Sequence, residues 1–396
     1  MNVNKDLNYA FNLSRQCLRL IGIWPDPHIS LNDFRWKSIR LIIAICIMSV
    51  YAVIPQIINL IRAWGNMTRM MDAFVLVNFF LTLTLWKLIY TRYHGEKLRI
   101  LIASVITDWA TSKRNWERST MLKLARTGRN LSFGYFTTAI CTILFIFFVR
   151  LGPVIRNIHQ PRRHLVYRFD YIQKSPNYEI TCFIQVCSSS YAILGTCGVD
   201  SFISILVFHI CAQLINLRST LNNLIDGLSN QSISSSKFRK GLTAIVIRHK
   251  HLIRNVRTIN DCYSPVLFVH MIGASSQLCL VTFQIFTTIT DDLNVIPIKI
   301  IFLTFYTIFV LMQLYIYCYT AERLLTESTN MAYGVYECKW YNIPAKDAKD
   351  LMLIAYRSTI PLKLVAGKFG NFSLELFGIA VKTSLGYLSA LLTIRE

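Results

Sequence analysis

Enzyme chemistry needs nucleophiles, acids, bases or metal ligands at motif spacing, and this 396-residue sequence offers none. There is no Walker loop, His-Glu-x-x-His, Cys-x-x-Cys, Gly-x-Ser-x-Gly or Gly-x-Gly-x-x-Gly. Histidines such as His209 and His270 stand alone and read as packed or interfacial residues rather than metal ligands. Most of the 11 cysteines, Cys46, Cys141, Cys211, Cys279 and Cys318 among them, lie inside apolar stretches, as inert buried thiols would. The expectation is no enzyme, no cofactor and no metal. Polar chemistry of another kind gathers in the last apolar stretch, which carries Lys382, Thr383, Ser384, Ser389 and Thr393 beside Gly378 and Gly386. At membrane depth such groups face protein or water, and glycines admit close helix contact. That pattern fits a helix lining a water-filled path, or one packed between neighbours.

The elements that must hold this helix are apolar. Hydrophobic residues make up 53% of the chain and charged ones 16%, with a mean hydropathy of +0.41, too apolar for an ordinary soluble domain. Seven windows reach the roughly 20 residues that cross the hydrocarbon layer: 38–61, 73–93, 131–151, 180–214, 264–289, 296–320 and 372–394. Pro55 predicts a kink in the first, and Ser264-Pro265 reads as an N-cap and first-turn pair opening the fifth. Residues 1–37 hold no clean apolar run, so the first span is expected to do the targeting. The fold expected is an all-α membrane protein with seven transmembrane helices. Its parts are an N-terminal segment (1–37), helices one to six (38–320), an anchor loop (321–371) and a last helix (372–396).

A formal charge of +21 suggests nucleic acid until its placement is counted. The N-terminus and the loops 92–130, 215–263 and 321–368 hold 29 Lys and Arg, and the opposite side fewer than a third as many. The positive-inside rule therefore places the N-terminus in the cytoplasm and, with seven spans, the C-terminus outside. The third loop runs against the pattern, with Arg156, Arg162, Arg163, Arg168 and Lys174 on the outer side. Asn66 begins an Asn-Met-Thr sequon in the first outer loop, a candidate glycosylation site. The basic face is read as contact with anionic lipid headgroups, with no role for nucleic acid.

Three apolar stripes at helical spacing lie on the cytoplasmic side. They are Leu98, Ile102, Val105 and Trp109; Leu214, Leu217, Leu221, Leu224 and Leu228; and Ile245, His249, Leu252, Val256, Ile259 and Tyr263. They predict a cytoplasmic helical anchor region formed by loops two, four and six, where subunits meet; packing within one subunit or on headgroups is the other reading. Gly227 to Ser236 reads as a joint between two such helices. Asp200 is expected near the inner interface.

Short hallmarks at both ends resemble insect odorant receptors. Leu18-Arg19-Leu20-Ile21-Gly22-Ile23-Trp24-Pro25 is similar to that family's opening motif. The C-terminal match is more specific: Tyr336, Trp340, Arg357, Pro361-Leu362, Ala366-Gly367, Phe372-Ser373-Leu374-Glu375-Leu376-Phe377, Lys382-Thr383-Ser384, Tyr387 and Leu391-Leu392. Loop 215–263 has no room for the long insertion of the shared co-receptor, so the chain resembles an odorant-binding subunit.

The resemblance implies an odorant-gated, non-selective cation channel in the plasma membrane of olfactory neuron dendrites. It implies a heterotetramer with the co-receptor whose seventh helices line a central pore. It places the pocket for a small volatile in the outer halves of spans two (Leu76, Phe79, Phe80, Leu83), three (Ile143, Phe147), four (Phe183, Cys187, Ser190, Tyr191) and six (Phe302, Phe305, Tyr306, Phe309). Tyr306 and Tyr191 stand out, since a phenol offers both a flat face and a hydroxyl. The pore would be lined by Lys382, Thr383, Ser384, Tyr387 and Thr393, with a hydrophobic gate at Ala390 and Ile394 that stops ions by dewetting.

Three other classes compete. A gustatory receptor of the related family ends in Thr-Tyr, five residues, then Gln-Phe, where this chain has Gly386-Tyr387, five residues, then Thr393-Ile394. A G-protein-coupled receptor has the opposite orientation, and its Asp-Arg-Tyr and Asn-Pro-x-x-Tyr signatures are absent. A transporter would show internal repeats or interrupted helices around a midplane site.

Overall fold

The computed structural model describes residues 3–27, 31–62, 64–65, 79–112, 114–156, 177–291, 297–367 and 370–395. Asn66 and Leu76 lie outside the described residues, as do Arg162, Arg163, Arg168 and Lys174. Among the described residues the regular structure is helical apart from one short hairpin. In order come α1 (Val3–Ile21), α2 (Leu31–Met48), a π turn (Ser49–Val53), α3 (Ile54–Arg62), α4 (Phe79–Tyr93), α5 (Gly95–Thr111) and α6 (Asn115–Arg156). Then follow α7 (Asn177–Ser229), α8 (Ser235–Asp291), α9 (Pro297–Glu337), α10 (Ala345–Ser358), strands β1 (Val365–Ala366) and β2 (Gly370–Asn371), and α11 (Leu374–Arg395). Helix occupies the described part of the first six apolar windows and residues 374–394 of the seventh. Among the described residues, four stretches are long and apolar enough to cross a membrane: Ser38–Arg62, Asn177–Ser229, Ser235–Ile289 and Ile300–Asn342.

One of these helices, α7, forms the axis of the bundle. α7 has 53 residues, about 80 Å at 1.5 Å per residue, and every side chain from 195 to 214 is buried. It touches α1, α2, α4, α6, α8 and α9, as a helix apolar all round must. Glycine makes two of these approaches close. A Cβ on Gly195 would stand 3.0 Å from the Leu88 side chain, and one on Gly198 3.2 Å from Cys17 and Leu18.

Local rules explain the opening motif and both prolines. Gly22 ends α1 at φ +88°, and the Ile23 N–H returns to the Leu18 carbonyl at 2.8 Å, a Schellman-type stop. It folds Trp24 back onto Phe11 and Phe202, with ring centroids 6.2 and 5.6 Å away. Pro55 lacks the N–H its turn would use, and the helix widens into the π turn just before it. Pro265 departs from expectation: it lies inside the continuous α8 and does not open a helix. Packing on both sides carries the helix through. The neighbouring Ser264 instead anchors the hairpin, its carbonyl and hydroxyl both accepting the Gly367 N–H, at 3.1 and 2.8 Å.

The three stripes are buried within the chain, all but the half-buried Leu224. α5, the C-terminal half of α7 and the N-terminal half of α8 pack those faces on one another, so they cannot serve as the surface where subunits meet. The apolar groups left outside belong to other faces, such as Val246, Ile247, Leu353 and Tyr356. The joint between α7 and α8 is a tight turn in which the Ser232 N–H and hydroxyl both donate to the Gly227 carbonyl, and Gln231 sits at φ +55°.

Candidate functional site

Asp200, expected near an interface, lies in the middle of the bundle at 0% exposure, and so does its partner Lys87. The Lys87 ammonium from α4 donates to both carboxylate oxygens, at 2.7 and 2.9 Å. Tyr317 of α9 donates its hydroxyl to one oxygen at 2.5 Å; Tyr135 of α6 and Gln313 of α9 donate to the other at 3.1 and 3.3 Å. Three helices thus place five donor contacts on the one carboxylate of α7, which is how a buried charge becomes tolerable. The His270 ring of α8 lies 5.0 Å from the Tyr317 ring. Its buried nitrogens have no partner among the described residues.

An aromatic cluster adjoins this hub. Phe309 stacks on Tyr135, with centroids 5.6 Å apart and planes 9° from parallel, and meets Phe80 edge-on at 5.6 Å. Tyr306 lies 6.3 Å from Phe309 and 6.1 Å from Phe302, while Phe145 reaches Phe302 and Phe305 at 6.4 and 5.9 Å. Each such pair is worth about 0.5–1.5 kcal/mol beyond area burial.

Five expected pocket residues therefore come together: Phe80, Phe302, Phe305, Tyr306 and Phe309. Leu83 is buried, Ile143, Cys187 and Ser190 are half-buried, and Tyr191 packs on the core. Phe183 is 68% exposed and meets no described ring. Phe79 and Phe147 lie in α4 and α6 with side chains outside the described residues, and Leu76 is outside them altogether. Tyr135, Phe145, Lys87 and Gln313 were missed. The signal for Lys87 was available: a lysine inside an apolar window demands an acidic partner, and Asp200 was already conspicuous.

On its other side the hub reaches the last helix. The Tyr317 ring packs against Phe372 at 5.6 Å, and Phe372 is buried one residue before Ser373, whose hydroxyl caps α11 by accepting the Leu376 N–H at 3.1 Å. Glu322 accepts the Leu374 N–H at 3.2 Å. The hallmark Phe372-Ser373-Leu374-Glu375 is thus the plug and cap of this helix. Among the described residues, α11 packs chiefly on α8 and α9. Lys382 and Thr383 lie on its exposed side; Ser384 is buried and donates to the Val381 carbonyl at 2.7 Å. Tyr387, Ala390, Thr393 and Ile394 belong to the helix, with side chains outside the described residues.

A second polar cluster ties the stripes together. Asp108 of α5 accepts from His209 at 3.0 Å and from Arg248 at 2.7 Å, and Arg248 also reaches the Gln213 side-chain oxygen at 3.0 Å. Burial pushes the Asp108 pKa up, but the hydrogen bond and charge of His209, with Arg248, outweigh it and hold the carboxyl below its ordinary range.

Fold and site together define a helical membrane protein with an aromatic interior on a buried ion pair and a last helix mostly uncovered by its own subunit. Residues 66–385 match the family described as 7tm odorant receptor, and the chain belongs to that family. It is 22% identical to odorant receptor 13a of Drosophila melanogaster over 423 residues, covering 96% of this chain and 95% of that one. A 158-residue stretch is 30% identical to the odorant receptor coreceptor of Anopheles gambiae, covering 40% of this chain and 32% of that one. The fold is similar to the insect olfactory receptor OR5 from Machilis hrabei in complex with eugenol, with a TM-score of 0.84, 14% identity and full coverage of both chains. A second structure of that receptor gives 0.82.

Proposed function

We propose that this chain is the odorant-binding subunit of a ligand-gated, non-selective cation channel. The observation that carries this is α11, which among the described residues is covered chiefly by α8 and α9 and bears Lys382 and Thr383 on the open side. The open side also exposes Leu374, Ile379 and Leu385; its apolar groups call for neighbouring subunits and its polar ones at membrane depth for water. In the proposed topology seven helices span the plasma membrane, the N-terminus is cytoplasmic and the C-terminus extracellular. α11 from each subunit of a heterotetramer with the co-receptor surrounds the pore, with Tyr387 and Thr393 along it and the gate at Ala390 and Ile394. The cytoplasmic ends of α7 to α10 form the anchor.

The ligand is a small, apolar volatile, because the side chains brought together there are aromatic with few hydrogen-bonding groups. It is held by Phe80, Phe302, Tyr306 and Phe309, with Tyr191 and the other pocket candidates around them. Binding in the solved relative is that of eugenol; here the odorant class rests on the aromatic lining. Ligand shifts the equilibrium only if it binds the open state better. The contacts Phe309 to Tyr135, Tyr135 and Tyr317 to Asp200, and Tyr317 to Phe372 give pocket and pore helix one shared element to bias.

The test is recording from cells expressing this chain with the co-receptor while an odorant panel is applied and nucleotide signalling is blocked. Fast currents that persist support the channel; currents lost under the block point to a metabotropic receptor. Ile394→Ala should raise the resting leak and Ala390→Trp reduce evoked current; no change in either would remove these residues from the gate.

A further inference from the structure

Beyond His270, away from the α7–α8 joint, one face of α8 is buried and polar. His270, Gln277, Gln284 and Thr288 recur on it with Ala274 and Val281 between them, at the three- and four-residue steps of a single helical stripe. The His270 ring lies 5.0 Å from that of Tyr317, so this face is turned to α9 and the Asp200 hub. α7 packs on α8 and, running back from Asp200, carries Thr196, Ser188 and Gln185, which are buried too. Polar side chains enclosed at membrane depth are costly and mark function.

Two of these groups have donors to spare. The Gln277 side-chain nitrogen and the Ser188 hydroxyl are enclosed and have no hydrogen-bond partner among the described residues. Neighbouring hydroxyls on the same helices bond back to their own backbone, as Ser189 and Ser275 do at 3.0 Å. An enclosed donor without an acceptor costs as much free energy as a lost hydrogen bond or more. Position ties both groups to the aromatic cluster. Gln277 stands seven residues, about 10 Å, from His270 along α8. The same step along the antiparallel α9 leads from the hub donor Gln313 to Tyr306. Ser188 is twelve residues, about 18 Å, from Asp200, which sets it level with the stretch of α8 between Gln277 and Gln284.

We propose that the odorant pocket extends to this polar stripe and that Gln277, assisted by Ser188, recognises a carbonyl oxygen, so that the ligands are volatile ketones, aldehydes or esters rather than hydrocarbons. This rests on the odorant-binding reading above and names the ligand class for it. A carbonyl oxygen only accepts hydrogen bonds, which is what two spare donors require. Water can meet them in the unliganded receptor; a carbonyl that displaces it keeps the bond and adds apolar contact with the rings, whereas a hydrocarbon strands the donor.

The test uses purified full-length receptor in nanodiscs, with affinity read from the ligand-induced rise in melting temperature. The probes are volatile ketones and aldehydes, each paired with the alkene in which a CH2 group replaces the oxygen, acetophenone with isopropenylbenzene among them. In the wild type the best-bound carbonyl compound is expected to bind about tenfold more tightly than its alkene. Gln277→Leu should bring that ratio close to one, as should Gln277→Met, which keeps the length of the side chain. Ser275→Ala, two residues away and so on the far side of α8, should leave it unchanged. The ratio within one variant cancels a general loss of folding, and its change between variants cancels partition into lipid. A ratio near one in the wild type, or a wild-type ratio that survives Gln277→Leu/Ser188→Ala, overturns the proposal and leaves the odorant pocket standing, with water alone on the stripe. A panel of which no member binds removes the odorant-binding reading itself, and this proposal with it.

Discussion

A single carboxylate carries the largest energetic stake. Replacing Lys87 by Met leaves Asp200 charged, buried and held only by neutral donors, a change that costs about 3–5 kcal/mol. The expected outcome is loss of most folded receptor at the cell surface, with partial recovery in Lys87→Met/Asp200→Asn. Surface labelling and thermal melting of purified protein check it, and a double variant no better than the single would show that the pair is not coupled. Tyr317→Phe is gentler: it keeps the ring on Phe372 and removes one bond to a charged acceptor, worth about 1.5–3 kcal/mol. Normal surface level with a displaced odorant concentration–response curve is expected. An unchanged curve would separate the hub from gating.

At the scale of elements, α11 is held by its capped N-terminal end and one side. Ser373→Ala removes its N-cap at a cost of about 1 kcal/mol, and the resting current should change while odorant affinity in a binding assay stays within about twofold. The α4–α7 contact is set by a missing side chain, so Gly195→Val drives a methyl into Leu88 and costs about 1–3 kcal/mol. A melting temperature unchanged by that substitution would mean the two helices part without cost. The stripes teach a related lesson. Their spacing was legible as helix, but which partner each face meets depends on chain reversals at Gly227 and at the hairpin, and no periodicity encodes those.

Across the whole molecule, the end of the bundle that carries the α7–α8 joint should be acid-sensitive. His249 has its pKa lowered by burial and Arg357, so the folded state binds fewer protons than the unfolded chain. Its contribution to stability is intact above the ordinary histidine value of about 6.5 and is lost as pH falls below it. Asp108, also lowered, keeps its contribution through that window and loses it only at more acid pH, as its paired carboxylate protonates. Thermal melting from pH 7.5 to 5.5 should fall, and His249→Gln should flatten the slope; an equal slope in the variant would assign the sensitivity elsewhere.

The sequence by itself determined the class of solvent, the positions of the helices and the aromatic candidates on them, because apolar run length and side-chain period are local quantities. The short hallmarks pointed to the family, and the match over residues 66–385 established it. Tertiary structure decided the rest: that Lys87 finds Asp200 across 113 residues, that Tyr135 joins the aromatic cluster to the hub, that Pro265 does not break its helix, and that Lys250, Arg254, Arg257 and Arg357 line one groove. Each depends on which faces of distant helices meet. Close packing and the cost of unpaired buried charge settle that only when the whole bundle is assembled.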